Sequence, residues 1–136
     1  MKKLIVMLVL AVLCSTSAMA QNVVEDDAIF VVAENAPEFP GGSDSLYAYI
    51  ARNIKYPETA KKEKIEGRVF VTFVIEKDGQ VSSAKILRDI GGGCGEEAIR
   101  VVKSMPKWKP GTQRGNPVRF QFNLPVSFLL GKDANE

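Results

Sequence analysis

Histidine is absent from the 136 residues, and cysteine occurs only at Cys14 and Cys94. Without histidine there is no Ser-His-Asp or Cys-His machinery, no His-ligated zinc and no His-ligated haem. A charge excess is missing as well. The 18 Lys+Arg stand against 16 Asp+Glu, which gives no whole-chain case for nucleic acid or a membrane surface. Apolar residues make up 46% and charged residues 25%, near globular averages and unlike a disordered chain. The length suits one domain. Catalysis would have to run on carboxylate, Lys, Ser/Thr or Cys chemistry.

What is present begins with an export signal. Lys2 and Lys3 precede an uninterrupted apolar run from Leu4 to Leu13, and Ala18-Met19-Ala20 follows a polar Ser15-Thr16-Ser17. Residues 1–20 therefore read as a signal peptide cleaved after Ala20, which would deliver the rest to the periplasm. Two alternatives stay open. An uncleaved segment could anchor the chain in the inner membrane facing the periplasm, although Leu4 to Ala20 lies at the short limit for a bilayer span. Lipidation at Cys14 is disfavoured by the bulky Leu13 before it. Cleavage leaves equal numbers of positive and negative side chains and Cys94 alone, so no intrachain disulfide can form.

Charge is unevenly spread in the remainder. Glu25, Asp26, Asp27, Glu34, Glu38 and Asp44 lie between residues 21 and 44, where there is no Lys or Arg. Residues 21–36 form an acidic leader, and the body beyond residue 44 is correspondingly basic. Such a leader either folds back on the body or leaves a basic face for an acidic partner.

Residues 37–130 read as the folded domain and residues 131–136 as a polar tail. Ala28 to Val32 is a β-branched and aromatic run that could add a short N-terminal strand. After the Pro37-to-Gly42 break, Ser43 is placed to cap a helix carrying Leu46, Tyr47, Ile50, Ala51 and Ile54 at helical spacing. Pro57 suits the first turn of a short polar helix through Lys62. Val69, Val71, Phe73 and Ile75 alternate on a strand, and Asp78-Gly79 predicts the hairpin turn into Val81 to Arg88. A second main helix spans about Glu96 to Ser104, with Ala98, Val101, Val102 and Met105 on one stripe. The last strand alternates Val118, Phe120, Phe122, Leu124, Val126 and Phe128 with polar residues and Pro125. The order predicts an α+β fold: two helices on one face of a three-stranded antiparallel sheet.

No chemistry emerges from the candidate motifs. Glu96 and Glu97 are neighbours on a helix and point about 100° apart, so they suit the helix dipole and not an acid/base pair. Cys94 has no histidine base. The glycines from Gly91 to Gly95 lack the Lys-Ser/Thr of a phosphate loop. Trp108, among Lys103, Lys107, Lys109, Arg114 and Arg119, is expected to anchor the last strand against the helices rather than stack on a base. No enzyme activity, cofactor, metal or nucleic-acid partner is expected. The remaining feature is the last strand, since Pro125 marks a sheet edge and an open edge can capture an extended peptide by β-augmentation.

The sequence also resembles the C-terminal domain of TonB, the energy transducer of Gram-negative outer-membrane uptake. The resemblance rests on Tyr56-Pro57, Gly67 to Phe73, Asp78 to Val81, Glu97 to Val102, Trp108 to Gly111, Gly115 to Val118 and Leu124 to Phe128. These pieces span about residues 37–128. The resemblance implies that the last strand's edge pairs with the TonB box of an outer-membrane receptor, with further contact around the Tyr-Pro motif. Carried over, the receptor-binding residues are Tyr56, Pro57, Val118, Arg119, Phe120, Gln121, Phe122, Asn123 and Leu124. It also implies inner-membrane motor proteins that pull on the domain using proton-motive force. The chain departs from the family pattern in its spacer, because residues 21–27 extend about 25 Å at most. Cys94-Gly95 also stands where many relatives open the helix with Asp. Two function classes follow: a receptor-docking module, as transducer or soluble adaptor, or a structural domain, such as a homodimer paired through its edges.

Overall fold

Alternating apolar residues, two Gly-containing turns and an amphipathic helix organise the chain, whose computed structural model describes residues 28–131. The expected signal peptide, residues 21–27 of the leader and residues 132–136 of the tail lie outside the described residues. In chain order the elements are β1 (Ile29–Phe30), α1 (Ser43–Asn53), α2 (Glu58–Lys62), β2 (Gly67–Ile75), β3 (Val81–Arg88), α3 (Cys94–Lys103), β4 (Gly111–Gln113) and β5 (Asn116–Phe128).

The fold is α+β, with the sheet order β1-β5-β2-β3 and β4 paired to β5. β2 is central. It pairs antiparallel with β5 from Gly67↔Phe128 to Ile75↔Phe120, and with β3 on its other side. Its alternation puts Val69, Val71, Phe73 and Ile75 into one cluster with Leu46 and Ile50 of α1 and Ala98, Val101 and Val102 of α3. Each such side chain, when fully buried, contributes about 1.5–3 kcal/mol. This cluster is what holds the helices to one face of the sheet.

Turns are set by residues that tolerate positive φ. Gly79 (φ 91°) closes the β2–β3 hairpin, with its N–H on the Glu76 carbonyl at 2.8 Å. At Gly92 (φ 67°) an added Cβ would lie 2.9 Å from the Cβ of Ala60 and 2.8 Å from Ile65. The glycine run therefore lets α2 pack closely against the start of α3, and is a packing device rather than a loose loop.

The short polar helix predicted through Lys62 is present as α2, five residues long. The structure refines the sequence expectation in the sheet and at one helix cap. There are five strands, where the sequence predicted three and left room for a short N-terminal one. β4 and β5 form a hairpin around Arg114 (φ 54°) and Gly115 (φ 80°), the two positive values of a I′ turn. β1 adds in parallel beside β5, pairing Ile29↔Arg119 and Phe30↔Phe120. Finally, α1 is capped by Gly42 (φ 93°), and Ser43 is already helical and makes no capping bond. The Gly42 N–H is turned back onto the Phe39 carbonyl at 2.8 Å, and this tight turn requires glycine where Ser43 was expected to cap.

Candidate functional site

The candidate site is the side of β5 that faces away from β2. Pro125 stands opposite Phe70 of β2. A proline fits within a paired strand where its missing donor points away from the neighbour. Antiparallel alternation then directs the backbone groups of Arg119, Gln121, Asn123 and Ser127 outward as well. Among the described residues no strand pairs with this outer side from Asn123 to Phe128. At the other end the edge is not bare, because β1 covers Arg119 and Phe120. The Ala28-to-Val32 run that was expected to add a short strand supplies β1, which takes part of this edge at Arg119 and Phe120.

The side chains of this strand divide between two faces. Phe120 and Leu124 are buried, and Phe122 lies with its ring centroid 5.6 Å from Phe73 and 5.1 Å from Trp108. Trp108 also meets Phe39 edge-on at 5.5 Å, so it anchors the last strand. Its Nε1 is buried without a hydrogen-bond acceptor. Gln121 and Asn123 are exposed on the opposite face. Arg119, on that same face, is held by Glu76 through Nε–Oε1 at 2.8 Å and a second contact at 3.2 Å. The Arg119 hydrogen bond, followed by that of the Ser82 hydroxyl, keeps the Glu76 carboxyl below its usual range. These contacts stiffen the strand that would receive a partner.

Tyr56 and Pro57 sit at the far end of β5. The Tyr56 ring meets Phe128 edge-on at 5.6 Å, and its hydroxyl donates to the Ile65 carbonyl. Burial first, then the nearby Cys94 and Glu66, pushes its pKa up. Pro57 precedes α2 as its N-cap. The turn before this pair is pinned to α3: the Lys55 N–H donates to Glu97 at 2.7 Å, and Arg100 bridges Glu97 and the Asn53 carbonyl at 2.6 and 2.7 Å. Hydrogen bonding from Arg100 is the main cause of the lowered Glu97 pKa. Leu124 and Phe128 are four residues apart, about 13 Å along a strand. The Tyr-Pro pair and Val118 to Leu124 thus occupy the two halves of one strand and do not form a single pocket.

Residues of the leader reach β4 and the turn into β5. Glu34 accepts the Arg114 N–H at 2.8 Å, Asn35 pairs with Thr112 and Glu38 with Lys109. The described part of the leader therefore folds back on the basic segment, mostly through backbone groups. Ala28 and Phe30 close one side of a cavity of about 350 Å³ shared with Lys77, Arg114, Pro117 and Val118. Glu76, Glu97 and the Glu34-to-Glu38 clamp were not among the residues expected from sequence. Their long-range partners lie 42 to 80 positions away, beyond any local signal. The nearer contacts are Glu97 with Arg100 at i,i+3 spacing in one helix and Glu76 with Ser82 across the hairpin.

Other chemistry is sparse. Cys94 is fully buried in the core, where desolvation first and then Asp89 and Glu96 push its thiol pKa up. Among the described residues no group of three or more His, Cys, Asp or Glu side chains could hold a metal ion, and no helix is long and apolar enough to cross a membrane.

Residues 52–130 match the family described as Gram-negative bacterial TonB protein C-terminal. Among solved structures, a longer form of the Helicobacter pylori TonB C-terminal domain in solution is similar at 25% identity and TM-score 0.52, covering 69% of this chain and 89% of its own. A shorter form of that domain matches at 24% identity and TM-score 0.50, covering 66% and 95%. No curated protein sequence matches the chain.

Proposed function

Since the chain belongs to the family of Gram-negative bacterial TonB C-terminal domains, we propose that it captures an extended segment, the TonB box, of an outer-membrane receptor by strand addition to β5. Membership makes it a protein-interaction module related to TonB transport. The β-augmentation step is our reading of the edge. One observation carries it. β5 is fully paired to β2 on one side from Phe120 to Phe128, while its outer side from Asn123 onward has no strand partner among the described residues. Such an edge offers main-chain donors and acceptors to an incoming strand, which gives affinity with little side-chain demand.

In this reading Gln121 and Asn123 supply outward backbone groups, Phe120, Phe122 and Leu124 keep the strand seated on the core, and Arg119 holds it against Glu76. Val118 continues the edge toward the β4 hairpin. Tyr56 and Pro57 shape the Phe128 end, where a receptor surface beyond the box would rest. The domain acts in the periplasm after cleavage at Ala20, with inner-membrane motor proteins as further partners. The intact mass of the exported protein tests the location: a chain beginning at Gln21 fits, and a retained Met1 means an anchor. Titrating a fluorescently labelled TonB-box peptide against the chain from Gln21 onward tests capture. Saturable binding is expected. No binding at millimolar peptide leaves an interaction domain, such as a homodimer, as the better account.

A further inference from the structure

The capture edge already carries a strand of its own chain. Ile29 and Phe30 pair in parallel with Arg119 and Phe120, and β2 occupies the other side of Phe120 through Ile75. β1 therefore lies on the outer side of β5, in line with the open stretch beyond Gln121. Past β1 the outer side offers donors only at Asn123 and Ser127, because the parallel register at Phe30↔Phe120 sets the Gln121 N–H against the Phe30 carbonyl and Pro125 has none. An incoming strand confined to that stretch forgoes the outward groups of Arg119.

We propose that β1 is a built-in occupant of the capture edge, displaced when a receptor segment pairs along β5 from Arg119 onward. The inference rests on the capture reading above. Two properties of the leader suit it for exchange. Its tip is weakly held: β1 is two residues long, Ile29 is 44% exposed, and Val31 and Val32 after it are 66% and 76% exposed. Segments with so few buried apolar contacts open at low free energy. Its base is firmly held. Asn35 and Thr112 exchange backbone bonds of 3.1 and 2.9 Å, and Glu38 and Lys109 exchange bonds of 3.0 and 2.8 Å. Val31 to Ala33 link the two, so the tip can leave while the clamp and the core stay in place. A binding-competent state that is only fractionally populated lowers apparent affinity by that fraction. The occupant thus protects the edge from unselective strand pairing and sets a threshold for the receptor segment.

The test uses the chain from Gln21 onward and its Ile29→Pro, Phe30→Pro double variant, each titrated with the labelled TonB-box peptide. The variant cannot donate from the tip and should bind about tenfold more tightly, as loss of one to two net backbone bonds of competition implies. In the unaltered chain, saturating peptide should raise amide exchange at Phe30 at least about tenfold, while the amides of Asn35 and Glu38 keep their protection. Binding that is equal or weaker in the variant overturns the occupant role and leaves capture standing. Unchanged exchange at Phe30 does the same. No binding by either form overturns both readings.

Discussion

Trp108 and Gly79 are joined through their backbones: the Trp108 N–H donates to the Gly79 carbonyl at 2.8 Å, and a Cβ on Gly79 would lie 2.0 Å from the Trp108 carbonyl oxygen. The hairpin turn and the segment leading into β4 thus meet at a point where only glycine fits, at φ 91°. Gly79→Ala combines a left-handed strain with a backbone collision, each of which costs about 1–3 kcal/mol. We expect it to lower unfolding free energy by about 2–4 kcal/mol in urea titrations, with m unchanged. A loss under 0.5 kcal/mol would contradict the close approach.

Tyr56→Phe removes the hydroxyl that donates to the Ile65 carbonyl and keeps the ring against Phe128. The loss of one partly buried hydrogen bond should cost about 1–2 kcal/mol. Peptide affinity should stay within about twofold, since any receptor contact here would use the outer ring edge. A large affinity loss with unchanged stability would assign the hydroxyl directly to the receptor.

Acid should destabilise the fold through Glu76 and Glu97. Both carboxyls are held below their ordinary value of 4.5, chiefly by hydrogen bonds from Arg119 and Arg100. In that case the unfolded state binds more protons in the acid range, so stability falls as the pH is lowered. Their contribution is complete above the unfolded value, about pH 4.5, and disappears as pH falls through the lower folded values. Urea unfolding between pH 3 and 7 should show this slope, and Glu97→Gln should flatten it while costing about 1–2 kcal/mol at neutral pH.

Cys94 should not react with a thiol reagent in the native protein. It is fully buried and its thiol pKa is raised, and the thiolate is the reacting form. Modification by an aromatic disulfide reagent at pH 8 should therefore need denaturant. Rapid labelling of the folded chain would contradict the packing of α3.

The elements that were legible in the sequence are those with a strong local period. Val69 to Ile75 and Phe120 to Phe128 alternate, Asp78-Gly79 marks the turn, and Ala98, Val101 and Val102 form a helical stripe. Each appears in the structure where its pattern lies. The start of α3 extends to Cys94 because Gly93, in the left-handed region, caps it and the thiol packs as a small apolar group. β1 was visible only as an apolar run. Nothing in Ile29 and Phe30 specifies a parallel neighbour, and the clamp from Glu34 to Glu38 places them beside β5. The site was therefore half legible. Pro125 marked an edge strand, but the identity of its occupant depended on contacts some 80 to 90 positions apart, which no local pattern encodes.

The main-chain account of capture is tested most directly by two substitutions at one position. Gln121→Pro removes an outward donor from β5 and Gln121→Ala leaves the backbone intact. In titrations with the labelled TonB-box peptide, with folding of both variants verified by circular dichroism, Gln121→Pro should abolish binding and Gln121→Ala should bind within about twofold of the unaltered chain. Equal loss in both variants would mean that the Gln121 side chain is the recognition element, and would contradict capture by the strand's backbone.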